Sequence, residues 1–396
     1  MREGWELKKI GECFSYIKNG ANIKQTKGAE GYPITRIETL SGGVFNRDRL
    51  GYADVVDLEQ YKDYILESGD LLVSHINSKT YIGRTVVYEG KQGENIIHGM
   101  NLLRLKHNRS LINSAFLCYY TQSVSFKLDI MRIRKDAVNQ SSFAISDFKK
   151  IRIPVPVLAT QLSIVSELDK LNELIQIKKE QLKDYDALAQ SIFYEMFGDP
   201  VENEKGWEVK TFGDCFSIGA GGTPSTKVKE YWDNGTIPWI GSNMCQNCII
   251  TETDGKFITE EGLNHSSTKL LSPGTVLVAL VGATIGKVGL LRIETCTNQN
   301  VAFIKVQEAE TFTSEFVYYH LMGLYGEFMK IGKGNFKMAN QGFIKLLPIS
   351  CPPLSLQQSF AHKIEQIERQ KAEVQKTITD LETLLAAPVS YTHLTL

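Results

Sequence analysis

The chain has 396 residues, a net charge of −1 at pH 7, 42% hydrophobic residues and 22% charged residues. This length suffices for at least two hydrophobic cores, and the composition is typical of a globular protein. Its longest apolar run, Val276 to Val281, is far too short to cross a bilayer, and the first residues lack a hydrophobic signal core. We therefore expect a cytoplasmic protein that does not enter a membrane.

Residues 1–155 are predicted to form a mixed α/β domain. Short apolar runs such as residues 70–74 have the length and composition of strands. Residues 114–131 are predicted to form one helix. Pro154 and Pro156 cannot continue a helix, so we expect an extended segment that ends the domain there.

Residues 156–200 are predicted to form a long helix and a linker, with Thr160 as the N-cap. From Ile164 onward the apolar residues recur at intervals of three and four, which is the heptad pattern of a coiled coil. Gly198 and Pro200 are residue types that end helices. The residues expected in the coiled-coil interface are Ile164, Leu168, Leu171, Ile175 and Leu182.

The second half of the chain repeats the first. Gly206-Trp207-Glu208 matches Gly4-Trp5-Glu6, and several residues that follow each triplet also recur. A period of about 200 residues is too long for a solenoid and fits two duplicated domains. We therefore predict a second domain at residues 201–352.

A second heptad helix is predicted at residues 353–387, followed by an irregular tail at residues 388–396 because Pro388 should end the helix. Phe360 lies 196 positions after Ile164, and at this shift the apolar pattern of the first helix coincides with that of the second. The expected interface residues of this helix are Phe360, Ile364, Ile367, Val374, Ile378 and Leu381.

The predicted fold class is therefore α+β, with two similar mixed α/β domains and approximate twofold symmetry. The first helix leaves the first domain and the second helix starts at the second domain. If the two apolar stripes pair, the helices must form an antiparallel coiled coil. Each helix would be about 45–50 Å long at ~1.5 Å per residue, which would hold the two domains at a fixed distance.

Basic residues are concentrated at matching places, between Lys127 and Arg152 and between Lys330 and Lys345. A charge run is often only a solvated surface, but its recurrence in both halves favours binding to a polyanion. Loops rich in Gly, Ser, Thr, Asn and Lys also recur, and these residue types contact base edges and phosphates. The candidate DNA-binding residues are Lys24, Lys27, Asn77, Lys79, Arg84, Thr223, Ser225, Lys227, Asn243, Lys287 and Gln299.

The sequence contains no motif that predicts catalysis or a metal site. Its seven cysteines are an odd number and widely spread, which argues against a disulfide framework. Cys245 and Cys248 form one Cys-x-x-Cys without the second ligand pair that structural zinc requires. Neither Gly-x-Ser-x-Gly nor His-Glu-x-x-His is present. We predict no catalytic residue, metal or cofactor in this chain.

Several motifs recur or stand out along the chain: Gly221–Ser225, Tyr231-Trp232, Gly235–Ile240, Thr284–Lys287, Asn298–Asn300, and Gln161 and Gln357 after proline-containing exits. This combination of motifs resembles the specificity subunit of type I restriction–modification systems. The duplicated domain-plus-helix plan also fits that family, and the resemblance covers nearly the whole chain. The matching segment of the first half, residues 19–27, lacks Gly-Gly-Thr-Pro, a difference expected if the halves read different DNA words.

The resemblance implies that each globular domain is a target recognition domain that reads one half of a split site in double-stranded DNA. It also implies that methyltransferase subunits dock on the coiled coil and that endonuclease–translocase subunits join the complex. Adenosylmethionine, ATP and magnesium would then belong to those partners, and this chain would be non-catalytic by itself.

Two other functions stay open from the residues alone. The chain could be a coiled-coil protein-interaction scaffold, which the absence of salt-dependent DNA binding would favour. It could also be a DNA-modifying enzyme such as a nuclease or a fused methyltransferase. Activity of the isolated chain without partners would favour the enzyme.

Overall fold

The structure, a computed structural model, describes residues 4–26, 31–108, 110–138, 140–306, 311–331 and 338–386. Lys27 and the predicted tail at residues 388–396 lie outside these ranges. The described residues divide into two compact units. The first contains those up to Lys179 together with those from Lys376 onward, and the second is Glu180–Gln375. Each unit thus contains one globular domain and parts of both long helices.

The first domain is built from twelve strands and four helices within the described residues. Its strands are β1 (Trp5–Lys9), β2 (Phe14–Asn19), β3 (Gln25–Thr26), β4 (Tyr32–Ile34), β5 (Gly51–Ala53), β6 (Leu71–Ser74), β7 (Ile76–Asn77), β8 (Thr85–Val87), β9 (Leu102–His107), β10 (Lys135–Asp136), β11 (Ser141–Ser142) and β12 (Arg152–Pro156). Its helices are α1 (Ile10–Cys13), α2 (Ser114–Tyr120), α3 (Val124–Ile133) and α4 (Ile145–Phe148), with 3₁₀ turns at Ile37–Gly43, Arg47–Arg49 and Glu59–Tyr64.

A four-stranded antiparallel sheet in the order β2-β9-β6-β8 forms the centre of this domain. Strand β6 is a continuous apolar run because both of its faces are buried. Leu71 and Val73 point into one hydrophobic cluster and Leu72 into another. Two smaller sheets, β3-β5-β4 and β10-β11-β7, and the pair β1-β12 contain the remaining strands of this domain.

The second domain repeats this construction. Its strands are β13 (Val209–Thr211), β14 (Ser217–Ala220), β15 (Ile237–Ile240), β16 (Cys248–Ile250), β17 (Phe257–Ile258), β18 (Val276–Ala279), β19 (Val288–Leu291), β20 (Cys296–Thr297), β21 (Val301–Lys305) and β22 (Pro348–Ser350). Its helices are α6 (Phe212–Cys215), α7 (Glu260–Asn264), α8 (Ser314–Gly323), α9 (Tyr325–Met329) and α10 (Gln341–Leu346), with 3₁₀ turns at Lys229–Tyr231, Ser242–Met244 and Gly282–Thr284.

Its central sheet has the order β14-β21-β18-β19-β16. The first four strands correspond in order to β2, β9, β6 and β8, and β16 is an addition that pairs with β19 in parallel. Strand β18 is buried on both faces, like β6: Val276 and Val278 contact one cluster and Leu277 another. The predicted duplication is therefore confirmed at the level of sheet order.

Each domain begins and ends on one pair of antiparallel strands. Strand β1 pairs with β12, and Trp5 lies opposite Pro156. Strand β13 pairs with β22 in the same way, and Val209 lies opposite Ser350. The prolines of β12 are compatible with this position because a two-stranded ribbon leaves one edge free of ladder hydrogen bonds.

The single helix predicted at residues 114–131 is wrong: the chain forms α2 and α3 with a break between them. Ser123 caps α3, since its hydroxyl accepts a hydrogen bond from the Phe126 backbone N–H at 3.2 Å. The second domain has the same interruption between α8 and α9. Apolar periodicity continues across the break, so it did not reveal where one helix ends.

The two predicted long helices are confirmed as α5 (Leu158–Phe197) and α11 (Leu354–Ala386). Helix α5 begins before Thr160, so the prediction that this residue caps the helix is wrong. Gly198 follows the helix with a φ of +81°, a left-handed conformation that glycine adopts readily.

The heptad residues of the two helices have two kinds of surroundings. Ile175, Val374 and Ile378 are buried, while Leu171, Leu182 and Leu381 are half-buried. Ile164 and Leu168 belong to the core of the first domain. Phe360, Ile364 and Ile367 belong to that of the second. The start of each helix is thus part of a globular core.

Polar contacts between the helices within each unit have antiparallel order. In the first unit, Lys179 forms an ion pair of 2.7 Å with Glu382. In the second, Tyr185 donates a hydrogen bond to Gln370, and Asp186 pairs with Lys371, a lysine between Ile367 and Val374 of the second heptad pattern. No helix among the described residues is long and apolar enough to cross a membrane.

Candidate nucleic-acid interface

Four loops of the second domain, which follow strands β14, β15, β18 and β20, are joined by backbone hydrogen bonds. The Gly222 N–H donates to the Thr297 carbonyl at 2.8 Å, and the Asn298 N–H donates to the Ile240 carbonyl at 3.1 Å. The Leu280 N–H similarly donates to a carbonyl of the loop at residues 298–300. These bonds join the loops after β14, β15, β18 and β20, whose polar side chains form the loop surface described below.

Side chains continue this network and join several predicted residues. Thr223 donates a hydrogen bond to Gln299. The Lys287 ammonium donates to the Gln246 side-chain oxygen at 2.7 Å, and the Gln246 amide nitrogen donates to the Asn243 carbonyl at 3.2 Å. The structure thus links Thr223 with Gln299, and Asn243 with Lys287 through a residue that was not predicted.

The glycines of the Gly-Gly-Thr-Pro-Ser loop allow it to lie directly on a neighbouring strand. A Cβ atom at Gly221 would meet the Thr297 carbonyl oxygen at 2.2 Å. The Trp239 indole N–H donates to the Gly222 carbonyl at 2.9 Å, and Trp232 packs edge-on against Trp239. These two tryptophans therefore support the loop from within, and Ser225 and Lys227 are exposed on it.

Gln246 and Asn247, which sequence reasoning missed, belong to this surface together with Asn298 of the Asn298–Asn300 motif. Asn247 has a φ of +57°, and its side-chain oxygen accepts a hydrogen bond from the Val288 N–H at 3.0 Å. Asn298 lies beside Gly241, and its side-chain oxygen accepts from the Asn300 N–H. The only sequence signal was that Gln246 and Asn247 follow Asn243 in one run rich in amides.

In the first domain, Asn77 and Lys79 lie at the small sheet β10-β11-β7. Asn77 pairs with Ser141 across the strands, and its amide donates to the Ser74 hydroxyl at 2.9 Å. The Lys79 ammonium forms an ion pair of 3.2 Å with Asp136. Hydrogen bonding from Ser141, together with Lys79 and Arg134, lowers the pKa of Asp136 to about 2. This carboxylate is therefore ionised at neutral pH and offsets part of the positive charge.

A cleft of about 1190 Å³ brings Lys79 and Arg84 together. The Arg84 guanidinium lies 4.6 Å from the centre of the Tyr81 ring. Three more basic side chains line the cleft, those of Arg47, Lys127 and Arg134, and Glu89 and Asp169 are among its acidic residues. Lys24 is exposed next to the separate sheet β3-β5-β4 and does not line this cleft.

The basic stretches predicted to form one surface in each half are divided in the structure. Lys127 and Arg134 line the cleft, whereas Lys149 packs beside Gly11 and Lys150 pairs with Asp147. In the second half Lys345 packs beside Gly213, the position equivalent to Gly11. Lys330 pairs with Glu327, and Lys333 and Lys337 lie outside the described residues. Proximity in sequence was therefore a poor guide to a common surface.

The described residues contain no group of three or more His, Cys, Asp or Glu side chains arranged to hold a metal ion. Burial lowers the pKa of His75 to about 4 and that of His98 to about 3, so both imidazoles are neutral at pH 7. Burial raises the pKa of the Cys245 thiol, so this thiol is protonated as well.

The family of type I restriction modification DNA specificity domains matches the chain twice, at residues 2–184 and 204–383. The putative type I restriction enzyme MjaX specificity subunit of Methanocaldococcus jannaschii is 28% identical over 410 residues, covering 97% of this chain and 93% of that protein. The EcoR124I/EcoR124II specificity subunit of Escherichia coli is 29% identical over 194 residues, 46% of each chain.

Two solved structures share the fold. A chain from a study of complex assembly and conformational transition of the type I R-M system has a TM-score of 0.62 at 17% identity, over 98% of this chain and 97% of that one. The S subunit from M. genitalium has a TM-score of 0.51 at 15% identity, over 97% and 95% of the two chains.

Proposed function

Because the chain belongs to the type I restriction–modification DNA specificity family and is a DNA-recognition subunit with two target recognition domains, we propose that each domain reads one half of a split DNA site. The two long helices set the gap between the half-sites. The chain itself performs no catalysis and supplies the sequence specificity of a larger complex.

The observation that carries this proposal is the hydrogen-bonded loop surface of the second domain. Lys287 and Gln246 present an ammonium and an amide in one hydrogen-bonded pair, and Gln299 presents an amide in a second pair with Thr223. Amide side chains pair with adenine edges, lysine with guanine edges or phosphates, and hydroxyls with phosphates. Loops that are fixed to one another before DNA arrives lose little conformational entropy on binding.

In the first domain, the basic cleft and the adjoining sheet β10-β11-β7 supply the corresponding surface. Lys79 is 63% exposed in its side chain, and its ion pair with Asp136 is therefore weak and easily exchanged for a phosphate. Arg84 and Lys127 add positive charge on the same cleft. The two domains thus use different residues on related frameworks, as expected for two different DNA words.

Methyltransferase subunits dock on the helices, and endonuclease–translocase subunits join the assembled complex. Exposed apolar side chains along α5 support this role, because groups of exposed apolar side chains often mark a contact with another protein. Adenosylmethionine, ATP and magnesium are bound by those partners. The exposed apolar residues of α5 are Leu162, Leu174, Ile177 and Leu188.

Replacing Lys287 with methionine is expected to weaken DNA binding and to reduce its dependence on salt. Loss of one phosphate contact lowers the slope of log K against log salt concentration by about one, whereas loss of a base contact lowers the preference for one half-site. Fluorescence anisotropy of the full chain with its partners, at several salt concentrations, measures both quantities. Lys210→Met is the matched control, because Lys210 lies in the closing strand pair. Equal effects of both variants would contradict the proposed surface.

Exchanging residues 1–155 for those of a relative is expected to change one half-site only. The exchanged segment begins before β1 and ends within its partner strand β12, one residue before that strand ends, so both long helices are retained. Methylome sequencing of cells that carry the full complex reads both words and the gap. A change in both words, or a wild-type complex that shows no split motif and no salt-dependent DNA binding, would contradict the proposed function and favour a scaffold.

A further inference from the structure

Each long helix carries a fully buried glutamine in its first turn. Gln161 is the fourth residue of α5 and Gln357 the fourth residue of α11, and both are 0% exposed. A primary amide is costly to bury unless its donors and acceptor are all paired. The same residue type at the same place in both halves therefore requires matching partners.

Both glutamines make the same three hydrogen bonds to their own domain. The Gln161 oxygen accepts from the Asn113 N–H at 2.8 Å. Its nitrogen donates to the Leu111 carbonyl at 2.9 Å and to the Pro156 carbonyl at 2.8 Å. Gln357 repeats this set, accepting from the Thr313 N–H at 3.0 Å and donating to the Thr311 and Pro352 carbonyls at 3.0 and 2.9 Å.

These bonds connect the helix to the part of the domain that leads to the recognition loops. Asn113 is the N-cap of α2, and the next residue, Ser114, donates to the Gly69 carbonyl at 2.6 Å, just before the central strand β6. In the second domain Ser314 donates in the same way to the Gly274 carbonyl before β18. Strand β6 leads to Asn77 and Lys79, and β18 leads to Lys287.

We propose that Gln161 and Gln357 are positioning residues that fix the orientation of each target recognition domain on its helix and thereby determine the permitted gap between the half-sites. This inference rests on the proposed function. Only an amide of this length can accept one N–H and donate to two carbonyls at once. An apolar side chain would fill the space but leave all three backbone groups unpaired.

The test is methylome sequencing of cells that carry the complete complex with wild-type chain, Gln161→Met or Gln357→Met. Methionine keeps the side-chain volume and removes the three hydrogen bonds. We expect both words to stay unchanged, while methylation at gaps one base pair shorter or longer than the native gap rises about tenfold, the size of effect given by unpaired buried groups. A purely structural role would instead reduce methylation at all gaps equally.

Gln190→Met is the matched control, because Gln190 is exposed on α5 and its loss should leave the gap preference unchanged. If the Gln161→Met chain fails to accumulate, Ser114→Ala is the second variant. It removes the hydrogen bond from the Ser114 hydroxyl to the Gly69 carbonyl, and we expect a smaller rise in methylation at altered gaps. A native gap preference in the Ser114→Ala and Gln357→Met complexes, or altered words, overturns the inference. A wild-type methylome without any split motif overturns the proposed function instead.

Discussion

Replacing Phe193 with alanine is expected to lower the free energy of unfolding of the second unit by about 3–5 kcal/mol. Phe193 is 1% exposed and lies on α5 where this helix packs into the core of the second domain. Its ring centre is 5.2 Å from that of Phe197 and 5.6 Å from that of Phe360. Phe316 and Tyr319 of α8 lie within 5.8 and 6.1 Å.

The expected loss of stability is large because the Phe193 ring packs where α5, α8 and α11 meet. Removing it creates a cavity between α5, α8 and α11 that the surrounding rings cannot fill without leaving their own contacts. Urea unfolding of the full chain, followed by circular dichroism, measures the change. Leu188→Ala is the matched control, since Leu188 is 47% exposed on the same helix and should change stability by no more than about 0.5 kcal/mol. Similar losses for both variants would contradict this account of the core.

Replacing Arg104 with phenylalanine is expected to destabilise the first domain by about 3–5 kcal/mol. Arg104 lies in β9, and its side chain is only 4% exposed. Its Nε atom is 2.7 Å from a carboxylate oxygen of Asp70, whose side chain is 3% exposed, and its Nη1 atom donates a hydrogen bond to the Asp63 carbonyl at 3.1 Å. The substitution leaves the Asp70 carboxylate buried without its counter-ion.

The second domain shows which pair of residues can replace the buried Arg104–Asp70 ion pair. Phe303 and Thr275 occupy the positions that correspond to Arg104 and Asp70, because Leu277 pairs with Phe303 as Leu72 pairs with Arg104. We expect the double variant Arg104→Phe/Asp70→Thr to recover part of the loss, since an apolar pair can replace a buried ion pair at little net cost. A double-mutant cycle from urea unfolding tests this coupling, and strictly additive losses would argue against it.

The duplication and the two long helices could be predicted because each has a repeating sequence pattern, and the antiparallel order followed from where each helix leaves its domain. The same pattern could not tell which surface buries each apolar residue. Ile164 and Phe360 satisfy the heptad rule, yet both belong to domain cores. Periodicity reports that a helix face is buried, and it does not report what covers that face.

The second-domain loops were predicted from motifs, and four of their six predicted residues take part in the hydrogen-bonded surface. Gln246 was missed because its role arises from Lys287, which lies 41 positions away in the sequence. In the first domain, Lys24 and Arg84 occupy different surfaces although both are basic loop residues. Such placements depend on how sheets and turns pack, which residue types alone do not encode.

The strand pairs that open and close each domain also bear on how such proteins diverge. In the first half 78 positions separate Gly83 from Gln161, whereas 71 separate their counterparts, Gly286 and Gln357. Insertions and deletions have therefore accumulated inside the domains, while the chain still enters and leaves each of them side by side. The length of the loops inside a domain can therefore change during evolution while the outgoing helix still begins beside the strand where the chain enters.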